Sequence, residues 1–376
     1  MATPNKKPRK LKKPYASFPL TPHPNGYWVK KINGRQHRFG ERWATPQDAL
    51  AEYMETKDDL FLGRQVARGK LTVRDACNAF LDDRHARLES GEIVQRSFDD
   101  YRKTCLNIVE HLGRETAVED LKPRDFTRMR TKLAERWSKV TLSNEIQRVR
   151  VCFKFLYDSG EIDAPLRFGP SFRRPSAKVL REEKNSKPAK DFTADEIRRL
   201  IDAASSSMRA MIFLGINCGF GNTDVARLKR DALDLADRWV EHPRPKTGVM
   251  RRCRLWSETC DALRIVLAER PAPKDDEAQE LVFVTERGQC WEKNRNGSVG
   301  QEFGRLQDAC GCRRKGVGFY ALRHVFETVG GDTKDQVAVD FIMGHSRNDM
   351  ASVYRTRIED DRLIAVTDHV RTWLFG

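Results

Sequence analysis

Ala321-Leu322-Arg323-His324, then Met343-Gly344-His345-Ser346, then Val353-Tyr354-Arg355: this stretch of the last fifth of the chain decides how the rest is read. An arginine is followed by a histidine 22 residues later and a tyrosine 9 residues after that. Arginine presents a planar two-pronged donor to phosphate oxygens. Histidine donates a hydrogen bond or a proton near neutral pH. Tyrosine carries a hydroxyl able to attack phosphorus and hold it covalently. Singly, a histidine is more often structural and a C-terminal tyrosine more often core. Their order and spacing raise them to candidates.

Upstream, the pattern continues. Thr193 opens a helix, and an apolar helix over Met208 to Asn217 runs into Cys218-Gly219-Phe220-Gly221-Asn222-Thr223-Asp224-Val225. Arg238-Trp239-Val240 and Arg251-Arg252-Cys253-Arg254-Leu255 read as two strands joined through Arg244-Pro245-Lys246-Thr247-Gly248. A lysine at a hairpin tip can reach a leaving oxygen and protonate it.

In this order, these segments resemble the catalytic domain of the tyrosine recombinases (the phage integrase family). The resemblance implies Tyr354 as nucleophile and Lys246, Arg323 and His345 as catalytic partners. Two positions depart from the pattern. The family's Thr-Gly-Leu-Arg-x-Ser-Glu-Leu segment has its first catalytic arginine where Gly221 stands here, and Tyr320 occupies the histidine's place in His-x-x-Arg. Tyr320 keeps an O–H donor but is a poor base at neutral pH. The place of the missing cation is open to Arg227, one helical turn on, to Arg244 on the strand, or to no replacement.

The N-terminal half reads as smaller pieces. Residues 1–14 hold Lys6, Lys7, Arg9, Lys10, Lys12 and Lys13, a basic flexible arm. Within 15–65, Tyr27 to Ile32 alternates, Asn33-Gly34 is a hairpin turn, Gln36 to Phe39 returns, and a helix follows Thr45. Lys30, Arg35 and Arg38 lie on those strands as candidate DNA contacts, and the segment resembles an integrase arm-type DNA-binding domain. Residues 70–165 read as four helices. Thr72 caps the first, Ser97 with Asp100 opens the second, Pro123 starts the third, and the fourth runs from about Thr141 to Tyr157. Arg148, Arg150 and Lys154 fall on that helix's outer face as further DNA candidates, and the bundle resembles a core-binding domain. Residues 166–190, basic, proline-containing and without period, are expected to be a linker before a catalytic domain at 191–376. The expected fold class is mainly α with small β-sheets, an α+β multidomain chain with a mixed α/β catalytic domain.

Composition agrees with a polyanionic partner. The 376 residues carry 69 Lys and Arg against 54 Asp and Glu, a net charge of +15. Residues 1–70 alone hold 15 basic and 6 acidic side chains. Lysine or arginine set against phosphate releases condensed counterions. Nine dispersed cysteines without a Cys-x-x-Cys spacing suit buried free thiols rather than a zinc site. No stretch approaches about 18 apolar residues, so no membrane span is expected. The resemblance implies a metal-free and cofactor-free strand transfer on double-stranded DNA, by a homo-tetramer on paired sites, in the cytoplasm at the nucleoid. An integrase-like DNA-binding protein with weak or lost catalysis is the alternative, favoured by Gly221 and Tyr320. Type IB topoisomerase-like nicking and closing shares the chemistry but would not need the N-terminal arm-like segment. The apolar tail Ile364 to Phe375 suits docking on a neighbouring protomer or on its own domain.

Overall fold

A computed structural model describes residues 11–41, 43–61, 70–186, 191–274, 276–291, 298–345 and 357–376. Lys6, Lys7, Arg9 and Lys10 of the basic arm, Ser346 and the candidate nucleophile Tyr354 lie outside the described residues. The chain divides into two units, one ending at Ser186 and the other running from 187 to 376.

The first unit holds two hydrophobic clusters. The smaller forms under an antiparallel sheet β1 (Thr21–Pro22), β2 (Trp28–Ile32) and β3 (Arg35–Phe39), ordered β1-β2-β3. Register pairs Trp28 with Phe39 and Ile32 with Arg35. Asn33 and Gly34 take φ of 49° and 80° at the turn, as a two-residue hairpin with right-handed twist requires. Trp28, Ile32 and Phe39 face Ala49 and Tyr53 of α1 (Pro46–Phe61), whose first turn Thr45 caps through the Asp48 N–H. Trp28 is fully buried, and its indole N–H donates to Ala44 O at 3.0 Å, so the ring is covered without an unpaired donor.

The larger cluster lies within α2 (Val73–Glu89), α3 (Gln95–Leu112), α4 (Pro123–Arg136) and α5 (Lys139–Asp158). Thr72 caps α2 by accepting the Asp75 N–H, and Pro123 stands at the first turn of α4. Two boundaries differ from expectation. Helix α3 begins at Gln95 after Val94, placing Ser97 inside its first turn, and α5 begins at Lys139, capped by Ser138 rather than near Thr141. The expected linker is not free of structure. Ser176 caps α6 (Ala177–Asn185), and the Glu183 carboxylate accepts the Lys139 N–H at 3.0 Å, fastening α6 to the start of α5. Cysteines far apart in sequence meet here: the Sγ atoms of Cys77, Cys105 and Cys152 lie within 4.8 Å of one another. Cys77 and Cys105 each donate an S–H to the other's carbonyl, at 3.8 and 3.9 Å.

The second unit packs around α8 (Ser206–Asn217), apolar on nearly every face and buried from Met208 to Asn217 except at Arg209. A helix hydrophobic all round belongs at the centre of a unit. Before it lies α7 (Ala194–Ala203), opened by a Thr193–Glu196 capping box. After it come the short α9 (Asn222–Ala226) and a three-stranded antiparallel sheet, β4 (Leu233–Asp234), β5 (Trp239–Glu241) and β6 (Arg252–Arg254). Then follow α10 (Ser257–Ala268), α11 (Asp276–Gln279), α12 (Ser298–Ala309), α13 (Ala321–Gly331), α14 (Gln336–Met343) and α15 (Asp360–Phe375). Helix α15 folds back onto its own unit, burying Leu363, Val366, Val370 and Leu374 in the shared core. The Trp256 indole donates to Thr367 O at 2.9 Å, and Arg371 pairs with Glu258. Among the described residues, no helix is long and apolar enough to cross a membrane.

Candidate active site

Arg323 sits in the first turn of α13, on the face that also carries Leu322, Val325 and Phe326. That stripe buries the arginine with its neighbours, leaving it 1% exposed. Its guanidinium is held from both sides: Nη1 donates to Gly219 O, and Nη2 donates to Met343 O at 2.6 Å. One arginine thus bolts the end of α8 to the end of α14. Burial is the main influence lowering its pKa, followed by the charge of Arg244.

The turn after α14 sets the histidine. His345 N–H donates to Asp340 O at 2.9 Å and Gly344 N–H to Phe341 O at 3.1 Å, the paired bonds of a Schellman ending. Gly344 takes φ 65°, and a Cβ there would fall 2.6 Å from Arg251 Cδ, so both backbone and space demand glycine. The turn aims the imidazole at Arg323. His345 Nε2 lies 3.0 Å from Arg323 Nη2, and Nδ1 lies 3.3 Å from Asp340 Oδ1. Glu327 comes within 4.0 Å of Nε2.

The hairpin ladder of β5 and β6 extends past the named strands through His242 N–H to Arg251 O and Arg244 N–H to Val249 O. A tight turn closes it, with Thr247 and Gly248 both donating to Arg244 O. Lys246 stands exposed at its tip. Arg244 Nη1 donates to Gly344 O at 3.2 Å and Thr247 Oγ1 to the same oxygen at 3.4 Å, which docks the turn against the His345 loop.

At the place of the absent arginine, Gly221 is buried before α9. Its N–H donates to Asp224 Oδ2 at 2.6 Å, and Asp224 Oδ1 accepts from Arg251 Nη2 at 2.9 Å. The Tyr320 ring fills the space: a Cβ on Gly221 would meet its Cδ2 and Cε2 at 3.1 Å. The two departures noted in the sequence are therefore one packing arrangement. Tyr320 itself is 45% exposed, with its ring edge-on to His324.

The four segments bring together an arginine, a histidine with a carboxylate behind it, and a hairpin turn carrying a lysine and an arginine docked on the histidine's loop. Residues 190–360 match the phage integrase family. These residues form a phage integrase family domain. Solved structures share the fold. A lambda integrase dimer bound to a COC′ core site is 18% identical, with a TM-score of 0.55, covering 93% of this chain and 98% of that one. A lambda integrase tetramer bound to a Holliday junction gives 18% identity and a TM-score of 0.55, over 92% of this chain and 98% of that one. The Tn1549 transposon integrase in complex with a circular intermediate DNA is 18% identical with a TM-score of 0.59, over 78% of this chain and 98% of that one. No curated protein matches the sequence. The phage integrase domain, together with this shared fold, supports a site-specific recombinase.

Of the sequence-predicted integrase residues, the structure brings Arg323 and His345 into contact and sets Lys246 on the turn that abuts them. It places the Tyr320 ring over Gly221. Five of the six candidate DNA contacts of the first unit have internal partners. Arg38 pairs with Asp82 at 2.7 Å, Arg148 with Asp100 at 2.9 Å and Lys154 with Asp158 at 2.6 Å. Arg150 is half-buried, donating to Phe172 O, and Lys30 lies over the Tyr53 ring. Arg35 is exposed. Sequence reasoning missed a basic groove beside α6, lined by Arg130, Lys139, Arg173 and Arg174 with Trp137 at its wall. The Arg173-Arg174 pair inside the supposed linker was its one visible sign.

Proposed function

We propose that the protein cuts and rejoins DNA through a 3′-phosphotyrosine formed on Tyr354. The observation that carries this reading is the Arg323–His345 contact, fixed by main-chain carbonyls at the junction of α8, α13 and α14. Arg323 and His345 form a preorganised donor pair for the non-bridging oxygens of a phosphodiester. Such donors are worth about 10²–10³ in rate each, because they need no reorganisation when charge develops. Tyr354 Oη bonds to phosphorus as the P–O5′ bond breaks, and Lys246 protonates the leaving oxygen. The tyrosine hydroxyl gives up its proton to solvent, the leaving 5′ oxygen takes one from Lys246 to become a hydroxyl, and one phosphoester replaces another, so the exchange needs no external energy source. Reversal with a different 5′-hydroxyl joins new partners.

Double-stranded DNA is the substrate, gripped by both units. The exposed Arg35 and the groove at Arg130, Arg173 and Arg174 support contacts from the first unit. Arg150 reaches phosphate by exchanging the neutral Phe172 carbonyl for an ionised oxygen, which binds a cation more strongly, whereas Arg148 and Lys154 trade the Asp100 and Asp158 carboxylates for phosphate. Four protomers on two duplexes complete an exchange, acting at the nucleoid in the cytoplasm.

The test is a duplex from the flanks of the gene carrying a nick beside the cleavage position, which loses the 5′-hydroxyl strand and traps the covalent intermediate. Wild-type protein is expected to form an adduct of DNA with Tyr354, and Tyr354→Phe none. An equal adduct yield from the Tyr354→Phe variant would remove the tyrosine from the chemistry. The second reading, an integrase-fold protein that binds DNA without cutting it, rests on Gly221. It predicts retention of the same duplex with no adduct.

A further inference from the structure

We propose that Arg244 is a catalytic residue, supplying to the scissile phosphate the cationic contact that Gly221 cannot; this rests on the reading of Tyr354, Arg323 and His345 above. The space at Gly221 is filled by the Tyr320 ring, which any side chain at that position would have to displace. Three other arginines compete for the role, and the geometry separates them. Arg251 is 2% exposed, with Nη2 on the Asp224 carboxylate, Nε on His242 O and its guanidinium over the Phe220 ring at 4.3 Å. Its charge is already matched by Asp224 and sealed from solvent. Arg227 is exposed beyond the end of α9, and it is absent from the groups that weigh most on Arg323. Arg323 is itself retained and occupied with its own position in the site.

Arg244 satisfies what the role needs. Its backbone is fixed by the donors of Thr247 and Gly248 and by its own N–H to Val249 O at 2.8 Å. Its side chain is half-buried and reaches the carbonyl of Gly344, one residue from His345. After burial, its charge is the strongest influence on Arg323, so the two guanidiniums share one electrostatic neighbourhood. Two cations held close together repel, and an anion placed between them relieves that repulsion. The acceptor that Arg244 now uses is a neutral carbonyl. A phosphate oxygen makes the shorter, stronger charge-assisted bond, so substrate arrival draws the side chain off Gly344 O. Arg244 transfers no proton. It binds a non-bridging oxygen while the Tyr354 Oη–P bond forms and the P–O5′ bond breaks. Two residues on, Lys246 serves the leaving oxygen, so a single turn holds both functions.

The test measures adduct formation on the nicked duplex and, separately, equilibrium affinity for it. Arg244→Ala is expected to slow adduct formation about 10²-fold, the scale of one lost preorganised donor, with far less effect on affinity. Arg244→Lys should recover part of the rate, since charge returns without the fork. Arg244→Ala combined with Gly221→Arg should regain rate over Arg244→Ala alone, the exposed Tyr320 ring swinging aside to admit the new side chain. An Arg244→Ala rate equal to wild type, or affinity and rate falling together in both Arg244→Ala and Arg244→Lys, overturns the proposal. Absence of any adduct from the wild-type protein overturns the parent reading and takes this one with it.

Discussion

Burial of Arg251 shapes the titration of its neighbour. The guanidinium has a carboxylate, a carbonyl and a ring face to offset its desolvation, while its Nη1 has no hydrogen-bond partner among the described residues. Beside it, His242 is 6% exposed, packs against the Phe220 ring, and has an unpartnered Nε2. Burial first, and the charge of Arg251 second, hold the imidazole down to about 4 from its usual 6.5; Asp224 and Asp231 pull weakly the other way. His242 is therefore neutral in the folded protein across the neutral range. In the unfolded chain it takes up a proton below about 6.5, so its contribution is intact above that pH and is lost as pH falls toward 4. The full difference amounts to about 3 kcal/mol at the acid end. His242→Leu, which cannot titrate, is expected to lose less stability than wild type between pH 7 and pH 4.5 in urea unfolding. Parallel curves for the two proteins would show that His242 titrates alike folded and unfolded.

Between elements, the second unit depends on a few polar side chains that tie helix ends to the sheet. Asn217, the last residue of α8, is fully buried. Its Nδ2 donates to Arg254 O, and its Oδ1 accepts from Trp256 N–H and Thr259 Oγ1, each at 2.9 Å. One amide thereby joins α8, β6 and α10. Asn217→Ala would leave the Trp256 N–H and the Thr259 hydroxyl buried without their acceptor and Arg254 O with only the Cys253 thiol, and is expected to cost about 2–4 kcal/mol, read as a lower urea midpoint at unchanged slope. A loss smaller than about 0.5 kcal/mol, the range of ordinary surface changes, would mean that water or a neighbour takes over those bonds. Much at this scale was legible. The Thr193 start of α7, the apolar run of α8, the Asn33-Gly34 turn and the Lys-Thr-Gly hairpin each rest on local chemistry that a sequence displays. What was hidden rests on contacts between distant positions. Tyr320 covering Gly221 spans about a hundred residues, so two separate losses in sequence are one exchange in space. Ser97 looked like a cap because an acidic residue follows it, but Val94 already turns the chain and α3 starts earlier. Helix α6 escaped notice because a nine-residue helix within a basic, proline-flanked run shows too few turns for a clear period. Arg244 could be named as a candidate but not ranked above Arg227, since the docking of its turn on Gly344 is a tertiary contact.

For the whole molecule, the net charge of +15 is the property that acts at longest range, and internal pairing limits how much of it reaches DNA. Arg38, Arg148 and Lys154 each have a carboxylate partner, so binding phosphate requires trading one anion for another, and the counterion gain is reduced. The six cations of residues 1–14 are packed into a segment with no acidic residue, where such compensation is absent from the local sequence. They are accordingly the densest source of salt-dependent affinity in the chain. If each meets a phosphate, log K for a duplex should fall against log salt more steeply by about 0.9 per contact than in a protein lacking residues 1–14. Deleting those residues is thus expected to flatten the slope by up to about 5 and to weaken binding most at low salt, where the released counterions matter most. Fluorescence anisotropy over a salt series, with the same duplex for both proteins, reads the slope directly. Identical slopes would show that the arm never reaches the backbone and that the grip on DNA comes from the folded units alone.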